Sequence, residues 1–322
     1  MIQTINYQGW EDAIELSNRT ARVVVVPSVG RIMHYGFAEG ENLLFVNPEH
    51  TGKVNSGEGP ALVDGKPDWI DYGGDRLWPT EEDRFEQING ARRPPDWFFD
   101  GLPWTSRIEG HEVIITSPVS SLCGASIERR ISLDEKSSRL VVHQKLSKVL
   151  LGRIKNLEPI PLTIWNISTL RLPEQIFFPL AAESCFEGDV HFPIWPGAKN
   201  HGADNYTRDG ELGVFLPNGV PQKVGTDAPG WIAALVGEDV IVEQFRADPD
   251  ASYPDGGTSV TAFLNSSIGE IECLSPQVPL QVGEAIEHSL VWNLGRIGPG
   301  ALQERREKAT KWITSLSPFQ PD

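Results

Sequence analysis

The sequence predicts a mainly β protein, an antiparallel sandwich with one C-terminal helix. Three observations carry this. Short apolar runs recur along the chain between Gly and Pro breakers. From Val113 onward apolar residues alternate with polar ones at the period of a strand. Helical periodicity is confined to the last segment.

Arg22-Val23-Val24-Val25-Val26, ended by Pro27, is a β-branched run of the kind buried on both faces. A second strand is expected at Leu43-Leu44-Phe45-Val46. From Asn47 to Trp104 the chain is rich in Gly, Pro, Asp and Trp without periodicity, which predicts long ordered loops of the type that carry function. A meander follows. Ile127, Ile131 and Leu133 share one parity, a polar turn spans Asp134 to Ser138, and Leu140 and Val142 resume the pattern. Further strands are expected at Leu162–Ile167, Trp231–Val236, Val240–Phe245, Val260–Leu264, Ile268–Leu274 and Ile286–Leu294. Leu302, Ala309, Ile313 and Leu316 recur at helical intervals among charged residues, which places the helix at about 300–316. More than ten strands with no intervening helices favour packed antiparallel sheets over an α/β layout. Without a fixed-period repeat or a convincing linker, residues 1–322 read as one domain.

A net charge of −16 with no dense Lys/Arg stripe disfavours nucleic acid as a partner. No basic leader with an apolar core opens the chain and no stretch approaches membrane-spanning length, so a cytoplasmic protein without a membrane partner is the expectation. Cys123, Cys185 and Cys273 lack metal-site spacing and read as free thiols. No phosphate-binding loop, nucleophile elbow or His-x-x-x-His pair occurs, so neither metal nor cofactor is expected.

Three constellations could carry chemistry. The segment Asp71 to Pro79, with Trp97 and Trp104 behind it, mixes rings, charges and glycines. A sugar presents hydroxyls around apolar C–H faces and needs flat rings beside fixed polar groups, which makes Asp75, Arg76, Trp78 and Trp104 candidate ligand contacts. The alternative is that the tryptophans fill a small core under a long loop. In the second constellation a strand carries Glu243 toward Arg246 and the turn-rich loop holding Tyr253. One register buries Glu243 and the other points it away from the core, and the sequence permits both. In the third, alternation sets Ile271 and Cys273 on one face and Glu270 and Glu272 on the other, so Glu272 is a candidate general base if that face is concave and a solvated carboxylate if it is not. His288 shares a face with Ile286, Leu290 and Trp292 and reads as a core histidine, whereas the loop bearing His191 and Lys199 could cover a pocket.

Ser28-Val29-Gly30-Arg31-Ile32 followed by Glu41 to Phe45, Gly73 to Pro79, Trp165-Asn166-Ile167, Tyr253 to Gly257, and Leu274-Ser275-Pro276 ahead of Gly283-Glu284 together resemble the galactose mutarotase-like superfamily, in a bacterial branch of it. The resemblance spans nearly the whole chain. It implies a β-supersandwich with a sugar-sized cleft on the concave face of the larger sheet. It also implies a strand glutamate as base toward the anomeric hydroxyl, for which Glu272 is the positional match, and two histidines serving the ring oxygen. This chain has Tyr72-Gly73-Gly74 and Trp165-Asn166 where those histidines belong. The resulting expectation is a carbohydrate-binding protein with a mono- or oligosaccharide ligand, Trp165 and Asn166 joining the candidate contacts. The alternatives are an epimerase-like or lyase-like enzyme using Glu272, with Glu243 and His191 as further candidates, and a structural protein without a ligand.

Overall fold

The architecture was obtained as a computed structural model, which describes residues 1–55, 62–63, 66–67, 69–85, 96–152, 160–193, 204–317 and 319–320. Two large antiparallel sheets face each other across one continuous apolar core. The first has nine strands in the order Ile2–Tyr7, Trp10–Ser17, Ala21–Val26, Arg31–Phe37, Asp75–Trp78, Trp165–Arg171, Ile268–Leu274, Val260–Leu264 and Gln222–Thr226. The second has ten: Tyr206–Asp209, Leu212–Phe215, Gln175–Pro179, Trp231–Val236, Asp239–Gln244, Ala285–Arg296, Leu140–Lys148, Ala125–Leu133, Glu112–Thr116 and Thr105–Glu109.

The strands expected from alternation are present within a few residues of their predicted bounds. Two differ. Leu43 to Val46 makes only isolated bridges, Leu44 to Leu170 and Val46 to Gly73. The strand expected at 162–167 runs instead from Trp165 to Arg171. The stretch expected to be loop contributes Asp75–Trp78 to the centre of the nine-stranded sheet, paired with Trp165–Arg171 and bridged to Ile32. Four residues with two charges carry no alternation signal; their pairing is supplied by the neighbours. Gly73 and Gly74 turn the chain into this strand with φ of 77° and 71°. A Cβ on Gly74 would lie 2.5 Å from Met33 Sδ and 2.6 Å from the Ile32 carbonyl oxygen, so both the backbone conformation and the space require glycine.

The helix Leu302–Ser315 lies on the outer face of the ten-stranded sheet, where Ala309 and Ile313 pack on Phe177, Val214, Ala233, Leu235, Val240 and Val242. That settles the register question on Asp239–Gln244. Val240 and Val242 face the helix, so Ile241 and Glu243 face the core between the sheets. His288 is also interior, beside Phe245, and burial holds its pKa down at about 4.

Glu243 belongs to a polar chain crossing the core. Asp75 is ion-paired with Arg129 of the opposite sheet and accepts hydrogen bonds from Asn166 Nδ2 at 2.7 Å and Ser168 Oγ at 3.1 Å. The Ser168 hydroxyl also touches Glu243 Oε1, and Cys273 Sγ lies 3.6 Å from Glu243 Oε2. Ser168 has one hydrogen and faces two carboxyl groups, while Arg129 neutralises only the first. Burial, with the Asp75 charge adding to it, pushes the Glu243 pKa well above the carboxylate range. The direction of that shift favours the protonated form of Glu243, and the Ser168 hydroxyl bridges the two carboxyl groups.

Two outcomes are expected. An unfolded chain releases the Glu243 proton near pH 4.5 while the folded chain retains it, so this group makes stability fall as pH rises above that value, until the folded-state pKa is passed. In urea unfolding at a series of pH values, Glu243→Gln should remove a slope of up to about 1.4 kcal/mol per pH unit; an unchanged slope would show the carboxyl to be ionised. Gly74→Ala should lower stability by roughly 2 kcal/mol or more in thermal unfolding, and a smaller loss would mean that Asp75–Trp78 can shift within the sheet.

Candidate functional site

The helix packs on part of the outer face of the ten-stranded sheet; among the described residues no helix of that length lies on the outer face of the nine-stranded one. A cleft of about 450 Å³ lies there. The resemblance implied a cleft on the larger sheet; this one lies on the smaller. Alternation delivers its floor: Arg76 stands opposite Ile167, Ile167 opposite Glu272, and Glu272 opposite Thr261, on four adjacent strands. Glu270, Phe263 and Lys223 continue that face, and loops add Trp69, Asp71, Glu81, Glu82, His191 and Asp255 at the walls.

Arg76 is almost wholly buried; its two terminal nitrogens are engaged, while Nε has no hydrogen-bond partner among the described residues and lies 3.8 Å from Asp100 Oδ2. Its guanidinium lies 5.1 Å from the Trp69 ring centroid and 5.2 Å from that of Trp78. Nη1 donates to Thr169 Oγ1 at 2.6 Å and Nη2 to Glu270 Oε1 at 2.9 Å. Beneath it Asp100 Oδ2 accepts from both indoles, Trp69 Nε1 at 2.9 Å and Trp78 Nε1 at 2.8 Å, while Oδ1 pairs with buried Arg31. One carboxylate thus orients both rings that flank the guanidinium.

Glu272 Oε2 accepts from Trp165 Nε1 and Thr261 Oγ1, each at 2.6 Å, and lies 3.4 Å from Lys223 Nζ. Oε1 has no hydrogen bond among the described residues, and the side chain lines the cleft. Lys223 sits 4.3 Å above the Trp165 ring centroid and 3.1 Å from Asp255. At an effective dielectric near 20, a pair at this separation attracts by on the order of 5 kcal/mol. Burial opposes the ammonium charge, but Asp255 and Glu272 outweigh it and the Lys223 pKa is raised. Burial dominates at Glu272, whose pKa is raised even though Lys223 pulls it down; Glu270 adds to the rise.

Of the residues picked from sequence, Arg76, Trp78, Glu272 and His191 meet in the cleft. The His191 backbone bridges to Gly225, and its ring stacks on Phe186 at 5.6 Å. Trp165 and Tyr253 lie in the apolar cluster beneath, with Trp78 and Phe85. There Trp165 supports Glu272 and Lys223, and the Tyr253 hydroxyl accepts from the Asp248 amide. Asp75 and Asn166 face the opposite side of the nine-stranded sheet and Glu243 enters from the ten-stranded one; all three are buried in the sandwich interior, correcting the expectation that they reach a ligand. Trp104 is likewise in the core, against Gly30, with its Nε1 donating to the Phe99 carbonyl. Arg246 is exposed outside the cleft lining, and Lys199 lies outside the described residues. Sequence reasoning passed over Lys223, Trp69 and Asp100. Lys223 could have been flagged by alternation along Gln222–Thr226; Asp100 offers no sequence signal, because its partners are 22 to 69 residues away. Among the described residues no group of three His, Cys, Asp or Glu is arranged to hold a metal ion.

No family model matches the sequence, and no curated protein matches it. Solved structures do. A candidate aldose 1-epimerase from Klebsiella pneumoniae superposes with a TM-score of 0.53 at 12% identity, covering 97% of this chain and 86% of its own. A galactose mutarotase related enzyme from Lactobacillus acidophilus gives 0.52 at 8% identity, covering 88% and 97%. A galactose mutarotase-like protein from Clostridium acetobutylicum gives 0.50 at 9%, covering 92% and 98%. At these identities the likeness is one of architecture, and the chain has the galactose mutarotase-like fold.

Proposed function

We propose that this chain binds a carbohydrate in the cleft on its nine-stranded sheet. The observation that carries the reading is Glu272: a buried carboxylate lining the cleft, held on one oxygen by Trp165 and Thr261, with no hydrogen bond to the other among the described residues. A sugar hydroxyl supplies the missing donor. Trp69, Ile167 and Phe263 offer apolar surface to its C–H faces, and Glu270, already oriented by Arg76, offers a second acceptor. The volume suits a mono- or disaccharide. The names of the structural neighbours, an aldose 1-epimerase candidate and a galactose mutarotase related enzyme, support the same class of ligand.

A second reading, acid–base chemistry at the anomeric centre, is favoured by the raised pKa of Glu272 and by His191 in the same cleft. In that reaction Glu272 removes the anomeric hydroxyl proton, the C–O bond to it becomes a carbonyl, the ring C–O bond breaks, and His191 protonates the departing ring oxygen. Reclosure on the other carbonyl face gives the other anomer. His191 then does alone what the resemblance assigns to two histidines.

Tryptophan fluorescence titrated across common mono- and disaccharides should register binding through Trp69 and Trp78. Trp69→Ala should weaken it by about tenfold, the contribution of one flat ring, and Glu272→Gln by at least as much, both with an unchanged far-ultraviolet spectrum. No response to any saccharide would overturn the binding reading. In polarimetry of freshly dissolved α-glucose and α-galactose, the binding reading expects no marked acceleration of equilibration. Rapid equilibration abolished by Glu272→Gln would replace it with the enzymatic one.

A further inference from the structure

The segment Tyr253-Pro254-Asp255-Gly256-Gly257 borders the cleft with a turn of unusual backbone. Asp255, Gly256 and Gly257 have φ of 51°, 78° and 104° in succession. Glycine adopts such values freely, whereas at Asp255 the backbone is strained and must be held by its surroundings. The Gly257 and Thr258 amides donate to the Pro254 carbonyl at 3.1 Å, and the Asp255 amide donates to Glu81 Oε2 at 3.2 Å. A Cβ on Gly256 would lie 2.8 Å from His191 Nε2, so the turn also brings its backbone against that ring. Its product is the placement of one carboxylate. Among the described residues the ion pair of Asp255 is with Lys223, at 3.1 Å.

Lys223 in turn closes a clamp on Glu272. Trp165 Nε1 and Thr261 Oγ1 donate to Glu272 Oε2, and Lys223 Nζ lies 3.4 Å from the same oxygen, above the tryptophan ring. Resting on the carbohydrate reading, we infer that Asp255 is a positioning residue of the cleft, acting on Glu272 through Lys223. One ammonium stands between two carboxylates, so the closer Asp255 holds it, the less it supports the charge of Glu272. Burial is the largest influence raising the Glu272 pKa; Lys223 lowers it, and Glu270 and Asp255 add to the rise. The other charged groups of the cleft form a background that neither residue builds. Glu270 is paired with Arg76 at 2.9 Å and Glu81 with Arg84 at 2.9 Å, Asp71 lies 3.7 Å from Arg31, and His191 lines the same cleft. Burial opposes the Lys223 charge, while Asp255, Glu272 and, from the wall, Glu82 support it.

Carboxyl-carbon NMR of glutamate-labelled protein follows the titration of Glu272, assigned as the signal that Glu272→Gln removes. Asp255→Asn should move its midpoint to lower pH, because an anion is lost and the ammonium is left to Glu272. Lys223→Met should move it to higher pH, and Lys223→Arg, which keeps the charge, should move it less than Lys223→Met does. A residue that only braced the turn would not shift the two sets of variants in opposite senses. Asp255→Asn is isosteric and carries the test where Lys223→Met does not fold. Glucose and galactose, titrated by tryptophan fluorescence over the same pH series, should lose affinity as Glu272 takes up its proton, and at lower pH in Asp255→Asn than in the unaltered chain. A midpoint that Asp255→Asn leaves unmoved or raises, or that Lys223→Met leaves unmoved or lowers in the folded protein, overturns the inference whether or not a sugar binds. Midpoints that move as stated while no saccharide binds overturn the carbohydrate reading and leave the action of Asp255 on Glu272 standing.

Discussion

The ion pair between Asp75 and Arg129 joins the two sheets through the middle of the sandwich, and the candidate site is built on its other side. Asp75 belongs to a four-residue strand, too short to hold its place by its own pairing energy. Its carboxylate is fastened from the opposite sheet by Arg129 and within its own sheet by Asn166 and Ser168. Removing one partner of such a pair leaves an uncompensated buried charge at a cost of about 3–5 kcal/mol, so the strand has one stable position. Because successive side chains point to opposite faces, locating Asp75 inward locates Arg76 outward. The core network and the cleft are two faces of one backbone segment.

The same coupling of inside and outside runs along the neighbouring strands. On Ile268–Leu274, Ile271 and Cys273 enter the core while Glu270 and Glu272 enter the cleft. On Trp165–Arg171, Asn166 and Ser168 tie down Asp75 while Ile167 and Thr169 face Arg76 and its partners. The floor of the cleft thus inherits the rigidity of a central sheet, and its polar groups have fixed partners within it. Such pre-organisation lets a few polar groups select a ligand without paying much ordering entropy.

The two tiers of aromatic residues have different duties. Trp69 and Trp78 flank Arg76 and are oriented through their ring nitrogens by Asp100, a residue that does not line the cleft. Trp165 lies lower, gives its ring nitrogen to Glu272 and its face to Lys223. With Lys223 and Glu272 buried together, Asp255 and Glu272 raise the lysine pKa and keep it charged, while burial raises the glutamate pKa against the pull of Lys223.

The amino-acid sequence by itself determined the mainly β class, the C-terminal helix, most strands from Val113 onward, and the parity that groups Glu270 with Glu272. These are local properties, written in alternation and turn residues a few positions apart. The N-terminal hairpin was not legible, because Gln8-Gly9 lacks a strong turn signal although both residues adopt positive φ. Nor was Asp75–Trp78, whose strand character comes from its neighbours. Tertiary structure alone decided which face of each strand is interior. Glu243 and Glu272 look alike in sequence, each a carboxylate among apolar strand residues; the helix over one sheet turns Glu243 into the core, and the uncovered face of the other leaves Glu272 in a cleft. Asp100, Lys223 and Trp69 became part of the site for the same reason: their partners are remote in sequence, and only the packing of the sheets and loops brings them together.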